Sequence, residues 1–134
     1  MFLFFVFDIF YGIEERGLEM SYWKNVKDVE AYSPPGHEGT FNRRLVGPGE
    51  GIENLEVIIG EMEPGGLADP HFHEDIEQVM YILTGEMHII IEGQETVLKQ
   101  GDVVWIPKKA MHEVKNVGDT SLKFVLMYSP QKVK

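Results

Sequence analysis

Five histidines occur in the chain, at positions 37, 71, 73, 88 and 112, and only His71 and His73 stand one residue apart. In extended backbone, residues i and i+2 point to the same face, so this spacing sets two imidazoles side by side within reach of one ion. His112 follows Val103-Val104-Trp105-Ile106-Pro107 and a Lys-Lys-Ala-Met turn. It is the natural third ligand, provided that a barrel brings its strand beside the pair. Imidazole donors suit Mn, Fe, Co, Ni, Cu or Zn, and affinity order alone does not choose among them. A lone histidine is more often a surface or satisfied core residue, and His37 and His88 are read that way. The chain has no cysteine, which excludes a zinc-thiolate site, an iron-sulfur cluster, a disulfide framework and a cysteine nucleophile.

The elements that must position these side chains are strands. From Leu55 onward the sequence falls into short runs rich in β-branched and aromatic residues, each bounded by Gly, Pro or Asp, the pattern of sandwiches and barrels. The expected strands are Leu55 to Met62, Gln78 to Leu83, Glu86 to Glu92, Glu95 to Lys99, Val103 to Ile106, His112 to Asn116 and Leu122 to Tyr128. Gly93-Gln94 is read as a two-residue hairpin turn and Thr84-Gly85 as a second tight reversal. Asn25 to Gly51, punctuated by Ser33-Pro34-Pro35-Gly36 and Gly47-Pro48-Gly49, is expected to be mostly loop with short edge strands. The segment from Pro64 to Pro70 has too much Gly and Pro for a central strand, which places His71 and His73 at a strand entrance. No segment keeps a helical apolar period long enough to predict a helix. The class is therefore all-β, a sandwich or closed barrel.

At the histidines the chain resembles the cupin superfamily. The first motif of that family runs Gly, five residues, His-x-His, three or four residues, Glu, six residues, Gly. Gly65, His71, His73 and Gly85 match it. The second runs Gly, five residues, Pro-x-Gly, two residues, His, three residues, Asn. Gly101, Pro107, His112 and Asn116 match, with Lys109 in place of the inner glycine. The resemblance covers roughly Leu55 through Tyr128 and implies a double-stranded β-helix, or jelly-roll barrel, holding one divalent metal ion. Its acidic ligand position falls on Gln78, counted four residues after His73 and six before Gly85. Glu77 is the alternative, at the three-residue spacing. With Gln78 the ligand set His71, His73, Gln78 and His112 is neutral, and the full charge of the ion is left to attract an anion.

The resemblance implies a range of chemistry, because this scaffold hosts many functions. The reading taken is a metal-dependent protein acting on a small oxygenated, dicarboxylate-like substrate, similar to the manganese-containing oxalate decarboxylase branch, with Mn favoured. The alternatives are a non-catalytic binding or sensor module for a small molecule and a metal-dependent dioxygenase. Homodimerisation is expected by the same resemblance. Glu77 and Glu113 flank the expected ligands and are read as outward, solvated charges. Arg43 and Arg44 are read as loop charges, with positioning of an acidic substrate as the alternative. Met62, Met80, Tyr81, Trp105 and Met127 are read as barrel core or rim.

Composition narrows the partners. Twelve basic against 22 acidic residues give a net charge of −10, which repels a phosphate backbone, so nucleic acid is not expected. No apolar run reaches the roughly 20 residues that span a bilayer, so no membrane span is expected. The opening MFLFFVF carries no basic residue before it and is interrupted by Asp8, unlike an export signal. The expectation is a retained, cytoplasmic protein in which residues 1–19 are an appendage and residues 20–134 form a single barrel.

Overall fold

The structure, a computed structural model, describes residues 21–132; the appendage read at residues 1–19 lies outside the described residues. Eight strands follow one another: β1 (His37–Val46), β2 (Glu56–His71), β3 (Glu77–Thr84), β4 (Met87–Ile91), β5 (Gln94–Leu98), β6 (Val103–Ile106), β7 (His112–Asn116) and β8 (Leu122–Ser129). The only helices among the described residues are two single 3₁₀ turns, Val26–Asp28 and Pro48–Glu50. All pairings are antiparallel, in the order β5-β4-β7-β2-β8-β3-β6, with β1 laid against β2. The result is the nearly closed jelly-roll barrel expected of an all-β chain.

Alternation builds the core. Ile58, Met62, Met80, Ile82, Ile89 and Phe124 are almost fully buried and face one another inside the barrel, each contributing about 1.5–3 kcal/mol relative to exposure. Gly60 lies directly opposite Phe124 in the β2–β8 ladder. A Cβ at Gly60 would come within 2.3 Å of the Phe124 ring, so the aromatic ring fills the space that a side chain would take. Met127 is half-buried, whereas Tyr81 and Trp105 sit on the outer face and Trp105 is 69% exposed; the core-or-rim reading fails for both, because each occupies an outward position of its strand.

Three local expectations are corrected. The stretch Asn25 to Gly51 contains a ten-residue strand, β1. Its inward residues Thr40 and Asn42 are polar, so hydrophobic alternation does not reveal it. Strand β2 runs for sixteen residues, straight through Pro64-Gly65-Gly66. It pairs with β8 over Glu56 to Met62 and with β7 from Leu67 to His71, and the Pro-Gly-Gly stretch is where it changes partner from β8 to β7. His71 is thus the last residue of a strand, not an entrance. The β4–β5 turn is Glu92-Gly93, one residue earlier than expected, with both residues at positive φ (48° and 76°) as a mirror-image type I turn requires.

Asn116 closes the second motif structurally. Its buried amide Nδ2 donates to Met62 O and Thr120 O, both at 2.9 Å, and its Oδ1 accepts from Gly118 N. This ties the end of β7 to β2 and to the turn before β8. Replacing Asn116 with Ala leaves a buried carbonyl of β2 without its donor. Urea unfolding should show a loss of about 2–3 kcal/mol, with metal content unchanged where the protein remains folded.

Candidate metal centre

Register brings the imidazoles together. His71 and His112 are Cα partners across the β2–β7 ladder, and their ring centroids lie 4.2 Å apart. His73, two residues beyond β2, has its ring 5.1 Å from His71 and 5.6 Å from His112. One ring nitrogen from each of the three lies within 4.8 Å of the others. Gln78, on the inward face of β3, is 5% exposed, while Glu77 next to it points out. Glu113 is half-buried beside the inward His112. The burial pattern therefore favours Gln78 over Glu77 as the group beside the imidazoles.

Backbone contacts orient the rings. His71 Nδ1 lies 2.7 Å from Asp69 O and His112 Nδ1 lies 2.9 Å from Ala110 O. A carbonyl oxygen can only accept, so each Nδ1 carries the proton and each Nε2 presents a lone pair. The neighbouring turns are held as well. Lys109 N donates to His73 O at 2.7 Å, and Met111 exchanges backbone and carboxylate hydrogen bonds with Glu92 of the β4–β5 turn. Lys109 has φ +67°, the left-handed conformation that explains why the family pattern places glycine there.

Four buried side-chain polar atoms among the described residues have no hydrogen-bond partner: His73 Nε2, Gln78 Oε1, His112 Nε2 and Asn42 Oδ1. All four gather at this one end of the barrel. His37, Asn42, His71, Gln78 and His112 share the wall of a cavity of about 30 Å³, room for an ion with a water or two. A buried acceptor left bare is unfavourable, and a cation answers several of them at once. The donor set therefore fits a transition-metal ion. A larger groove of about 500 Å³ between β5 and β6 is lined by Ile89, Ile91, Val104 and Trp105 and has no histidine in its wall.

Other residues fall out differently. His88 pairs with Glu95 across β4 and β5. His37, read as a surface or satisfied core residue, stands nearer the site than that reading implied: its Nδ1 is satisfied 2.8 Å from Pro35 O, but its ring is 6.0 Å from His71 and lines the cavity. Arg43 and Arg44 belong to β1, not to a loop. Arg44 pairs with the fully buried Glu56, and Arg43 lies 3.7 Å from Glu61. Tyr128 and Lys132, which the sequence did not single out, stand beside the histidines: the Tyr128 ring is 5.5 Å from His73, and Lys132 Nζ is 5.6 Å from the Tyr128 ring. Their proximity depends on the fold and leaves no local pattern.

The cupin domain family matches residues 58–128, more than half of the chain, and the chain belongs to it. Among curated relatives, the pectin degradation protein KdgF of Dickeya dadantii is 28% identical over 80 residues, covering 60% of this chain and 72% of that protein. An oxalate-binding protein of Thermotoga maritima is 32% identical over 78 residues, covering 57% and 64%. Among solved structures, the polyketide cyclase RemF of Streptomyces resistomycificus superposes with a TM-score of 0.75 at 24% identity, covering 86% and 83%. That likeness shows the fold; the three names span different chemistries.

Burial and the charge of Lys132 push the His73 imidazole down to about 4, and burial also lowers His37 and His112. An unfolded imidazole takes up its proton near pH 6.5, before the folded His73 does. Acid therefore favours unfolding across that interval. Thermal melts of chelator-treated protein should show stability present above about pH 6.5 and falling toward pH 4, and His73→Asn should flatten part of that fall.

Proposed function

We propose that the chain binds one divalent transition-metal ion, Mn favoured, through His71, His73, Gln78 and His112 and acts on a small acid carrying neighbouring oxygens. The observation that carries this reading is the convergence of bare buried acceptors on one cavity. Three neutral imidazoles and an amide oxygen compensate none of the ion's charge, which favours an anionic ligand. Bound there, the ion supplies Lewis-acid polarisation of a chelating substrate. His71 and His112 keep their tautomers through Asp69 O and Ala110 O, and Met80, Phe124 and Leu126 make the inner wall apolar. The oxalate-binding relative supports a small dicarboxylate.

A second reading is a binding module without turnover. It is favoured by the absence of any carboxylate from the cavity wall among the described residues, since Glu77 points outward and Glu56 is paired with Arg44. Decarboxylation calls for a group that delivers a proton, and His37 is a titratable side chain of the cavity wall placed to do so.

Elemental analysis of purified protein should find one equivalent of metal per chain. His112→Ala and Gln78→Ala should each weaken metal retention about tenfold or more, while Glu77→Ala leaves it unchanged; the reverse order for the last two transfers the ligand role to Glu77. With a panel of dicarboxylates, carbon dioxide release without oxygen uptake identifies a decarboxylase, oxygen uptake a dioxygenase, and binding without turnover the module.

A further inference from the structure

We infer that Lys132 receives a second carboxylate of the ligand, remote from its metal-chelating end, so that the site selects 2-oxo or 2-hydroxy diacids over monoacids. This rests on the metal-site reading above.

The tail after β8 is tied down. Gln131 is buried, and its Nε2 donates to the carbonyls of Ile52 and Leu55. The next backbone N–H, that of Lys132, donates to Glu56 Oε1 at 3.1 Å. Arg44 binds the other oxygen of the same carboxylate. Glu56 is thus fully engaged, and Lys132 Nζ has no carboxylate within ion-pair distance among the described residues. Its ammonium lies over the ring of Tyr128, whose other neighbour is His73. One aromatic ring therefore separates the imidazole cluster from an exposed cation that has no carboxylate partner among the described residues.

The Lys132 side chain is exposed, so its ammonium is open to a carboxylate arriving from solvent, and it lies over the ring of Tyr128, a residue of the cavity wall. A cation without a protein partner steers and orients an anionic ligand of complementary placement. The cavity between the imidazoles has room for an ion and a water or two. Anything beyond the chelating end of a ligand must then lie toward the mouth. A diacid whose 2-oxo acid end occupies the ion places its distal carboxylate outside that cavity, where Lys132 offers the opposite charge.

The test uses calorimetric titration of the manganese-loaded full chain with 2-oxoglutarate and with pyruvate, alongside elemental analysis. Lys132→Gln should weaken 2-oxoglutarate about tenfold, leave pyruvate and metal content unchanged, and be rescued by Lys132→Arg. Equal loss for both acids, or no loss for either, overturns the inference while leaving the metal site standing. So does a metal-loaded wild-type chain that does not prefer the diacid. A wild-type chain that holds no metal overturns the functional reading and this inference together.

Discussion

Strand β2 pairs first with β8 and then with β7, and the register it keeps with β7 after Pro64-Gly65-Gly66 decides where the imidazoles go. Along Glu56 to Met62 it is a core strand against β8; past Pro64-Gly65-Gly66 it becomes the partner of β7. Between the Ala68–Val114 and His71–His112 pairs, β2 advances three residues while β7 advances two. That bulge matters because strict alternation from the buried Ala68 would turn His71 outward. One irregular step therefore places two imidazoles from distant parts of the chain face to face.

Around that pair the protein is organised by what the backbone can satisfy. Carbonyls two residues upstream hold the Nδ1 protons of His37, His71 and His112, so the orientation of each ring is set locally and its free nitrogen is aimed by the strand or turn that carries it. The turns that carry His73 and His112 are in turn gripped by Lys109 and Glu92. The scaffold meets every need of these residues except the one an ion would meet. The interior behind them is hydrocarbon, and burial lowers the affinity of His37, His73 and His112 for a second proton.

Much of this is legible in the residues themselves. Strands from β3 onward advertise themselves because their inward positions are apolar and their turns carry Gly, Pro or Asp. The i, i+2 histidines and the spacing to Gln78 and His112 point to one site. What stays hidden has physical reasons. Thr40 and Asn42 face the cavity, so β1 lacks the apolar rhythm of a half-buried strand. The long course of β2 is masked by the very Pro and Gly residues at which it changes partner. His37, Tyr128 and Lys132 come from opposite ends of the chain, and nothing in their immediate neighbours records that the barrel closes them over the histidines.

The engagement of Glu56 reaches further than its own ion pair. Chain ends commonly tolerate cuts and added tags because little backbone is committed there, but here Gln131 donates to the carbonyls of Ile52 and Leu55, and the backbone N–H of Lys132 donates to a carboxylate sealed inside the barrel. Trimming the polypeptide ahead of Gln131 would strip a donor from that carboxylate and carry away the ammonium beside Tyr128 in the same stroke. For anyone preparing the protein, the handle for purification belongs away from this tail, which acts as a stopper for the barrel's charged end.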